Sequence, residues 1–124
     1  MSIEWFNVKP KDCIATITMA SITLNKPATN YFEDAYAVML GIEKNSKEVL
    51  IRPIDKTEIE RKNISDSNYY KITVKSSYSR VTNKSFVELI ADEFEITFDD
   101  SSKFKANWDE KARLLRIKLM EVVQ

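Results

Sequence analysis

Two stretches of the chain, residues 21–34 and 79–92, carry the same residue types at a constant spacing. They read SITLNKPATNYFED and SRVTNKSFVELIAD. Four positions are identical at an offset of 58 residues: Ser21 and Ser79, Asn25 and Asn83, Lys26 and Lys84, and Asp34 and Asp92. An internal repeat constrains the fold strongly, because each copy must be one supersecondary unit that packs against the other.

The segments before the two stretches predict strands. CIATITM at 13–19 is rich in β-branched residues, and YYKITVK at 69–75 alternates apolar and polar residues. The first pattern predicts Ile17 and Met19 on the inward face, and the second predicts Ile72 and Val74 there. These positions do not agree in parity at the even offset of 58, so we expect a bulge or a one-residue shift near 76–78.

A short helix is predicted inside each copy. Apolar residues recur on one helical face, at Ala28, Tyr31, Phe32 and Ala35 and at Phe86, Leu89 and Ile90. Asn25 and Asn83 are candidate N-caps, because an asparagine side chain can accept a hydrogen bond from a free N–H of the first turn. Ser85 with Glu88 is an alternative capping box for the second helix.

A hairpin is predicted at the end of each copy. In the first copy YAVML at 36–40 pairs with VLIRPI at 49–54, and FEITF at 94–98 aligns with YAVML. LLRIKL at 114–119 aligns with LIRPI at an offset of 64, and KFKANW is the alternative partner of that last strand. The polar residues 55–68 between the copies are predicted to be a linker, with at most one helical turn around Lys56–Arg61.

The repeated unit of strand, short helix and hairpin is too small to bury its own apolar faces. It resembles the swapped-hairpin, AbrB-like superfamily, which includes the SpoVT, MazE-type and MraZ proteins. The residues that carry the resemblance are Ser21-Ile22-Thr23-Leu24-Asn25, Leu40-Gly41-Ile42 and Ser79-Arg80-Val81-Thr82-Asn83. It implies a mainly β fold with two short helices: a single domain over 1–124, with repeats at about 13–54 and 69–119 interlocked into one barrel, as in MraZ.

Composition excludes several kinds of active site. The chain has no histidine, one cysteine (Cys13) and one glycine (Gly41). Histidine-dependent catalysis, structural zinc sites and glycine-rich phosphate loops are therefore not expected. The carboxylates around residues 92–100 lack EF-hand spacing, so a solvated acidic face is favoured over a calcium site. We predict a protein that is not an enzyme and has no cofactor, no metal and no small-molecule substrate.

The formal net charge is zero, but residues 67–87 contain no Asp or Glu. The basic residues of this stretch, together with Lys26 as the counterpart of Lys84, are the candidate nucleic-acid-binding residues: Lys71, Lys75, Arg80, Lys84 and Lys26. Lysines neutralise phosphates, and Arg80 corresponds to the arginine of the family's Gly-Arg element, so a role in reading a base edge or a narrow groove is implied. The predicted partner is duplex DNA, and the predicted function is that of an AbrB- or MraZ-like transcriptional regulator.

An assembly module is the alternative function. Neither copy has the glycine or the proline of the family pattern, so a barrel that lost its DNA face is the competing interpretation. Trp5, Phe6, Trp108 and the last strand could then form a self-association surface. The small charge total predicts a homo-oligomer in either case. No apolar run is long enough for a membrane helix and no signal-peptide pattern is present, so we predict a cytoplasmic protein.

Overall fold

The computed structural model describes residues 12–98 and 102–123. The described strands form one antiparallel sheet of eight strands in the order β3-β4-β8-β7-β1-β2-β6-β5. The strands are β1 Cys13–Ile17, β2 Ser21–Leu24, β3 Ala37–Glu43, β4 Glu48–Ile54, β5 Thr73–Val74, β6 Ser79–Thr82, β7 Ser102–Asp109 and β8 Leu114–Val122. The fold is therefore mainly β, as the sequence predicts.

The sheet is curled until its two ends touch. Tyr70 lies just before β5, and its backbone exchanges two hydrogen bonds with Val38 of β3, at N···O distances of 2.8 and 2.9 Å. One bridge therefore joins the two outermost parts of the sheet, whereas five register pairs join β1 to β7. The result is a half-barrel with one well-formed side and one open seam, the gap between β3 and β5.

Alternation along the strands places apolar side chains inside the curl and polar ones outside. The buried inward residues from both halves of the chain form a single cluster, whose fully buried members include Ile17, Ile22, Leu24, Val38, Val49, Ile51, Val81, Leu115 and Ile117. Each such side chain contributes about 1.5–3 kcal/mol by leaving water. The predicted inward position of Met19 is wrong: this residue lies in the turn after β1 and is 67% exposed.

Three α-helices are present in the described residues instead of the predicted two: α1 Lys26–Thr29, α2 Lys56–Lys62 and α3 Lys84–Phe94. The additional helix α2 lies in the predicted linker, where only one turn was expected. Asp55 caps it by accepting a hydrogen bond from the Glu58 N–H at 2.6 Å. A short 3₁₀ turn, Asn30–Phe32, continues α1.

The two asparagine caps are confirmed. The Asn25 side chain accepts a hydrogen bond from the Ala28 N–H at 3.4 Å, and the Asn83 side chain accepts one from the Phe86 N–H at 3.0 Å. Asn83, and not Ser85, is therefore the residue that begins α3. Both caps stand directly after a strand, so each strand passes into its helix without a loop.

Two predicted strands are corrected. Residues 94–98 are not a strand, because α3 continues to Phe94 and ends at Glu95, whose φ of 54° is left-handed. The alternative partner is the right one: β7, which contains KFKANW, forms the hairpin with β8. In the predicted strand at 69–75, only Thr73–Val74 is a strand, preceded by the bridge at Tyr70. No described helix is long and apolar enough to cross a membrane.

Candidate nucleic-acid interface

A row of polar side chains crosses the outer face of the sheet over five neighbouring strands. The register pairs align Lys103 with Thr16, Thr16 with Thr23, Thr23 with Arg80, and Arg80 with Thr73. These residues face outward because their neighbours Ile17, Ile22 and Val81 face the core. The row carries a cation on β7, a cation on β6, and hydroxyl groups on the strands between and beside them.

A second row lies beside the first. Lys105 pairs with Ile14 across β7 and β1, and the Lys75 N–H donates to the Tyr78 carbonyl at 2.8 Å beyond β5 and β6. Lys71 is not part of this second row: it lies two residues before Thr73, whereas Lys75 lies two residues after it, and Lys71 is exposed. We define the basic face as Lys71, Lys75, Arg80, Lys103 and Lys105.

The five cations of the basic face have no ion-pair partner among the described residues. None of their nitrogens lies within ion-pair distance of a carboxylate in this part of the chain. Strands β7, β1, β2, β6 and β5 contain a single acid, Asp109, which lies at the far end of β7 and is bound by Arg116 at 2.9 Å. The charge of this face is therefore not neutralised by its own strands.

Arg80 is held in place by two neighbours. Its Nε donates to the Thr23 hydroxyl at 3.0 Å, and its guanidinium carbon lies 5.3 Å from the centre of the Tyr78 ring. These contacts involve one nitrogen and one face of the group, so the other nitrogens remain available for a ligand. An ordered guanidinium loses less conformational entropy on binding a phosphate than a free lysine chain does.

The structure brings together three of the five predicted binding residues, Lys71, Lys75 and Arg80. Lys84 and Lys26 are the first residues of α3 and α1 and belong to neither row. Each is within ion-pair distance of an acid on the same segment, Glu88 at 4.0 Å and Glu33 at 3.9 Å. These two lysines are therefore partly neutralised and lie beyond the strand ends.

Lys103 and Lys105 belong to the basic face but were not predicted as binding residues. Their signal in the sequence is the alternation of lysine with Phe104, Ala106 and Trp108, which is typical of a strand with one wet face. That these lysines lie near Arg80 depends on the pairing of β7 with β1, which connects positions about 90 residues apart in the chain. The alternation was visible, but the strand order was not.

The other half of the outer face is organised differently, around an arginine bound by three acids. Arg116 of β8 donates to Glu43 at 2.6 Å, to Asp109 at 2.9 Å and to Glu48 at 3.1 Å. Hydrogen bonds to Asp109 and then Glu43 raise the pKa of the Arg116 guanidinium above its ordinary value. The Ala112 N–H, followed by Arg116, lowers the pKa of Asp109. The network contains three carboxylates and one guanidinium, so it carries an excess of negative charge.

A cleft lies at the open seam, on the side where Thr73 ends the first row. Its volume is about 570 Å³, and Tyr36, Tyr69, Lys71 and Asp66 are among the residues that line it. The rings of Tyr36 and Tyr69 are 6.4 Å apart between centroids and tilted by 55°. Tyr36 is 54% exposed. The cleft thus combines two aromatic rings with one cation and one carboxylate.

Cys13 is half-buried in β1, and burial followed by the charge of Asp12 raises the pKa of its thiol, which disfavours the thiolate. Trp108 is stacked by Tyr31 with ring centroids 4.4 Å apart. Trp5 and Phe6, with Asp99 and Asp100 of the acidic segment, lie outside the described residues. Within residues 12–98 and 102–123, no cluster of metal-ligating side chains occurs.

Comparison of the chain with family models, with curated proteins and with solved structures gave no match.

Proposed function

We propose that the chain is an internally duplicated, AbrB-like swapped-hairpin barrel whose basic face binds duplex DNA, as a transcriptional regulator does. The observation that carries the function is the basic face itself: five cations on one outer surface, none of them paired with a described carboxylate.

The duplication is supported by the order of elements. Each half contains a hairpin, an asparagine-capped helix and a second hairpin: β1-β2-α1-β3-β4 and then β5-β6-α3-β7-β8. In both halves the second hairpin has a four-residue turn whose last residue, Lys47 or Arg113, is left-handed with a φ of 54°. Left-handed backbone at a residue other than glycine is uncommon, so its recurrence at equivalent places supports a common origin.

The inward residues agree with the same duplication when the offsets are taken from the strands. An offset of 57 matches Ile17 with Val74 and Leu24 with Val81, all directed toward the core. The asparagine caps are 58 residues apart, so the added residue is Thr82, the last residue of β6. Under this duplication the one-residue shift lies at the end of β6 and not near 76–78.

The second hairpins match at an offset of 66, which places Val49 on Leu115 and Ile51 on Ile117. The helices account for part of the larger offset, because α3 has 11 residues, whereas α1 has four and the 3₁₀ turn that continues it has three. The sequence alignment of LLRIKL used an offset of 64, two residues less than the strands give. Because the difference is even, inward residues are still aligned with inward residues.

These offsets define a pseudo-twofold axis through the half-barrel. An antiparallel pair on such an axis consists of two equivalent residues. Thr23 and Arg80 are register partners and are 57 residues apart, while Leu50 and Arg116 are register partners and are 66 apart. The axis therefore passes between Thr23 and Arg80 on the basic face. On the other side of the barrel it passes between Leu50 and Arg116, at the ion-pair network around Arg116. The proposed DNA contact is centred on one end of the axis.

The dimensions of the basic face suit a groove of duplex DNA. Lys103 and Arg80 are separated by three strand spacings, or about 14 Å. The major groove is about 12 Å wide, so the two side chains can reach phosphates on its opposite edges. The hydroxyls of Thr16 and Thr23 between them can donate to phosphate oxygens. Contacts of this kind orient the protein, and the nitrogens of Arg80 that do not bond Thr23 can also reach a base edge.

The test is binding of fluorescently labelled mixed-sequence duplex DNA, followed by anisotropy at low salt. The variant Arg80→Ala/Lys103→Ala removes two cations of the basic face. The control Lys56→Ala/Lys111→Ala removes two exposed lysines outside it, so the net charge changes equally. We expect the first variant to bind about tenfold or more weakly than the wild type and the control to bind almost as well. Absence of binding by the wild type, or equal losses in both variants, contradicts the proposal.

The assembly alternative is supported by a different surface. Three apolar residues are largely exposed near the end of α3: Met19 at 67%, Met120 at 69% and Val122 at 59%. Ile96 lines shallow pockets with Met19 on one side and Met120 on the other, so the patch is continuous. Such a patch is typical of protein contacts. Sedimentation velocity of the wild type and of Met120→Glu tests it: loss of an oligomer in the variant supports self-association, and a monomeric wild type contradicts it.

A further inference from the structure

We infer that the cleft at the open seam binds a guanine nucleotide, with the base between Tyr36 and Tyr69. This inference does not depend on DNA binding, since it rests on the residues of the cleft alone. The volume of about 570 Å³ lies inside the range of small-molecule sites, roughly 300–1,000 Å³. The site exists because one bridge, Val38 with Tyr70, closes the seam where a full strand pairing would fill it.

The two tyrosines provide the surface for the base. Their ring centroids are 6.4 Å apart, a little less than a base needs to enter between two rings at stacking distance. Tyr36 is 54% exposed, so its ring can rotate from the present tilt of 55° and open the gap. The Tyr69 ring is half-buried and forms the fixed wall. Stacking on aromatic side chains accepts any flat base, so specificity must come from polar groups.

The polar groups of the cleft fit the two ends of a nucleotide. The Asp66 carboxylate can accept two hydrogen bonds from adjacent donors, and among the purines the guanine edge with N1–H and N2–H₂ offers such a pair. The Lys71 ammonium and the Thr73 hydroxyl, both exposed, are donors suited to a phosphate. A cationic ligand in an aromatic cage is disfavoured by Lys71, which no described acid neutralises.

The inference is tested by titrating the full chain with GMP, AMP and choline in separate calorimetry experiments. We expect GMP to bind and AMP to bind about tenfold more weakly, with Asp66→Asn removing the difference. Tyr36→Ala should weaken GMP binding by about 5- to 100-fold, as expected for loss of one stacking partner, while Tyr36→Phe keeps the ring and the affinity. Lys71→Ala should weaken binding as well, whereas Lys56→Ala, another exposed lysine, should not.

The outcomes separate this inference from the proposed DNA binding. The cleft shares Lys71 with the basic face, but it contains neither Arg80 nor Lys103. GMP binding that persists in Arg80→Ala/Lys103→Ala therefore supports the cleft as the site, whether or not duplex DNA binds. No heat with GMP, equal affinity for AMP, or binding of choline in place of GMP overturns the inference. Thermal melts of each variant identify any that fail to fold, and Asp66→Asn and Lys71→Ala, both at exposed positions, then remain as the informative comparisons with the wild type.

Discussion

Arg116 is the residue whose removal should reveal most about how the outer face is held together. It binds three carboxylates, of which Glu48 is only 6% exposed. Arg116→Ala leaves these acids close together without a cation, and removing the cation of a partly buried network is costly. We expect the free energy of unfolding in urea at pH 7 to fall by about 2–3 kcal/mol, less than for full burial because water screens part of the site.

The same variant has a predicted pH dependence. In the wild type the pKa of Asp109 is lowered, so its contribution to stability is present above its ordinary pKa and is lost as the pH falls through the lowered value. In Arg116→Ala, the crowded acids are relieved when they take up protons. The stability difference between wild type and variant should therefore shrink from pH 7 toward pH 3.

Arg113→Ala is the matched control for this comparison. Arg113 pairs with Glu110 at 3.6 Å, but both side chains are more than 70% exposed. An exposed pair contributes little, so we expect a change below about 0.5 kcal/mol at either pH. If Arg116→Ala is no more destabilising than this control, or if its cost grows on acidification, the network does not stabilise the sheet as described.

At the scale of elements, the two asparagine caps should differ in importance although they are equivalent in sequence. Asn83 only caps α3. Asn25 caps α1, and it also accepts a hydrogen bond from the Ile14 N–H at 3.0 Å and donates one to the Asp12 carbonyl at 2.9 Å. Asn25 therefore ties the start of β1 to the end of β2 in addition to beginning a helix.

Urea denaturation of single alanine variants tests this difference. Loss of a cap costs about 1 kcal/mol, which we expect for Asn83→Ala. Asn25→Ala also leaves the Ile14 N–H and the Asp12 carbonyl without partners, and we expect a loss of about 2–3 kcal/mol. Asn45→Ala, at an exposed turn position, should be nearly neutral. If the free energy of unfolding falls equally in the two cap variants, the additional hydrogen bonds of Asn25 do not stabilise the protein.

Gly41 in β3 gives a prediction of the opposite sign. It is the only glycine of the chain, and a Cβ built at this position meets nothing within 4 Å. Its φ is not left-handed, so an alanine fits without strain. Glycine inside a strand costs roughly 0.5–1 kcal/mol relative to alanine, and Gly41→Ala should raise stability by about that amount. Gly41→Val should do so as well, and a loss of stability in both variants would contradict the open position described for this residue.

The elements differ in how far the sequence predicts them. Alternation and turn residues were enough for β3, β4 and β8, and the asparagine caps were enough for the starts of α1 and α3. The end of α3 was missed, because FEITF has the composition of a strand while the preceding helix continues into it until the left-handed Glu95. The predicted strand at 69–75 is divided between two neighbours: Tyr70 forms a bridge with Val38 of β3, and Thr73–Val74 pairs with β6. No local pattern encodes this division, because it depends on the tertiary arrangement.

At the scale of the whole molecule, the sequence indicates a repeat but not its geometry. The offset of 58 reflects the helix caps, whereas the strands on either side match at 57 and 66 under the proposed duplication. Under that proposal, one residue added at the end of β6 and the greater length of α3 change the register without changing the residue pattern. Lys103 and Lys105 were missed as binding residues because they reach the basic face only through the pairing of β7 with β1, which the residue pattern does not reveal.

The basic face is proposed to bind DNA through phosphates. The salt dependence of the DNA affinity is the most direct test of this proposal. The affinity for a mixed-sequence duplex is measured by anisotropy across a series of salt concentrations, for the wild type, for Lys103→Ala/Lys105→Ala and for Lys56→Ala/Lys111→Ala. Each phosphate contact contributes about 0.9 to the slope of log affinity against log salt. We expect the slope to become shallower by nearly two in the Lys103/Lys105 variant and to stay unchanged in the control. Wild-type binding that is absent at low salt, or a slope that the Lys103/Lys105 substitutions leave unaltered, would contradict it.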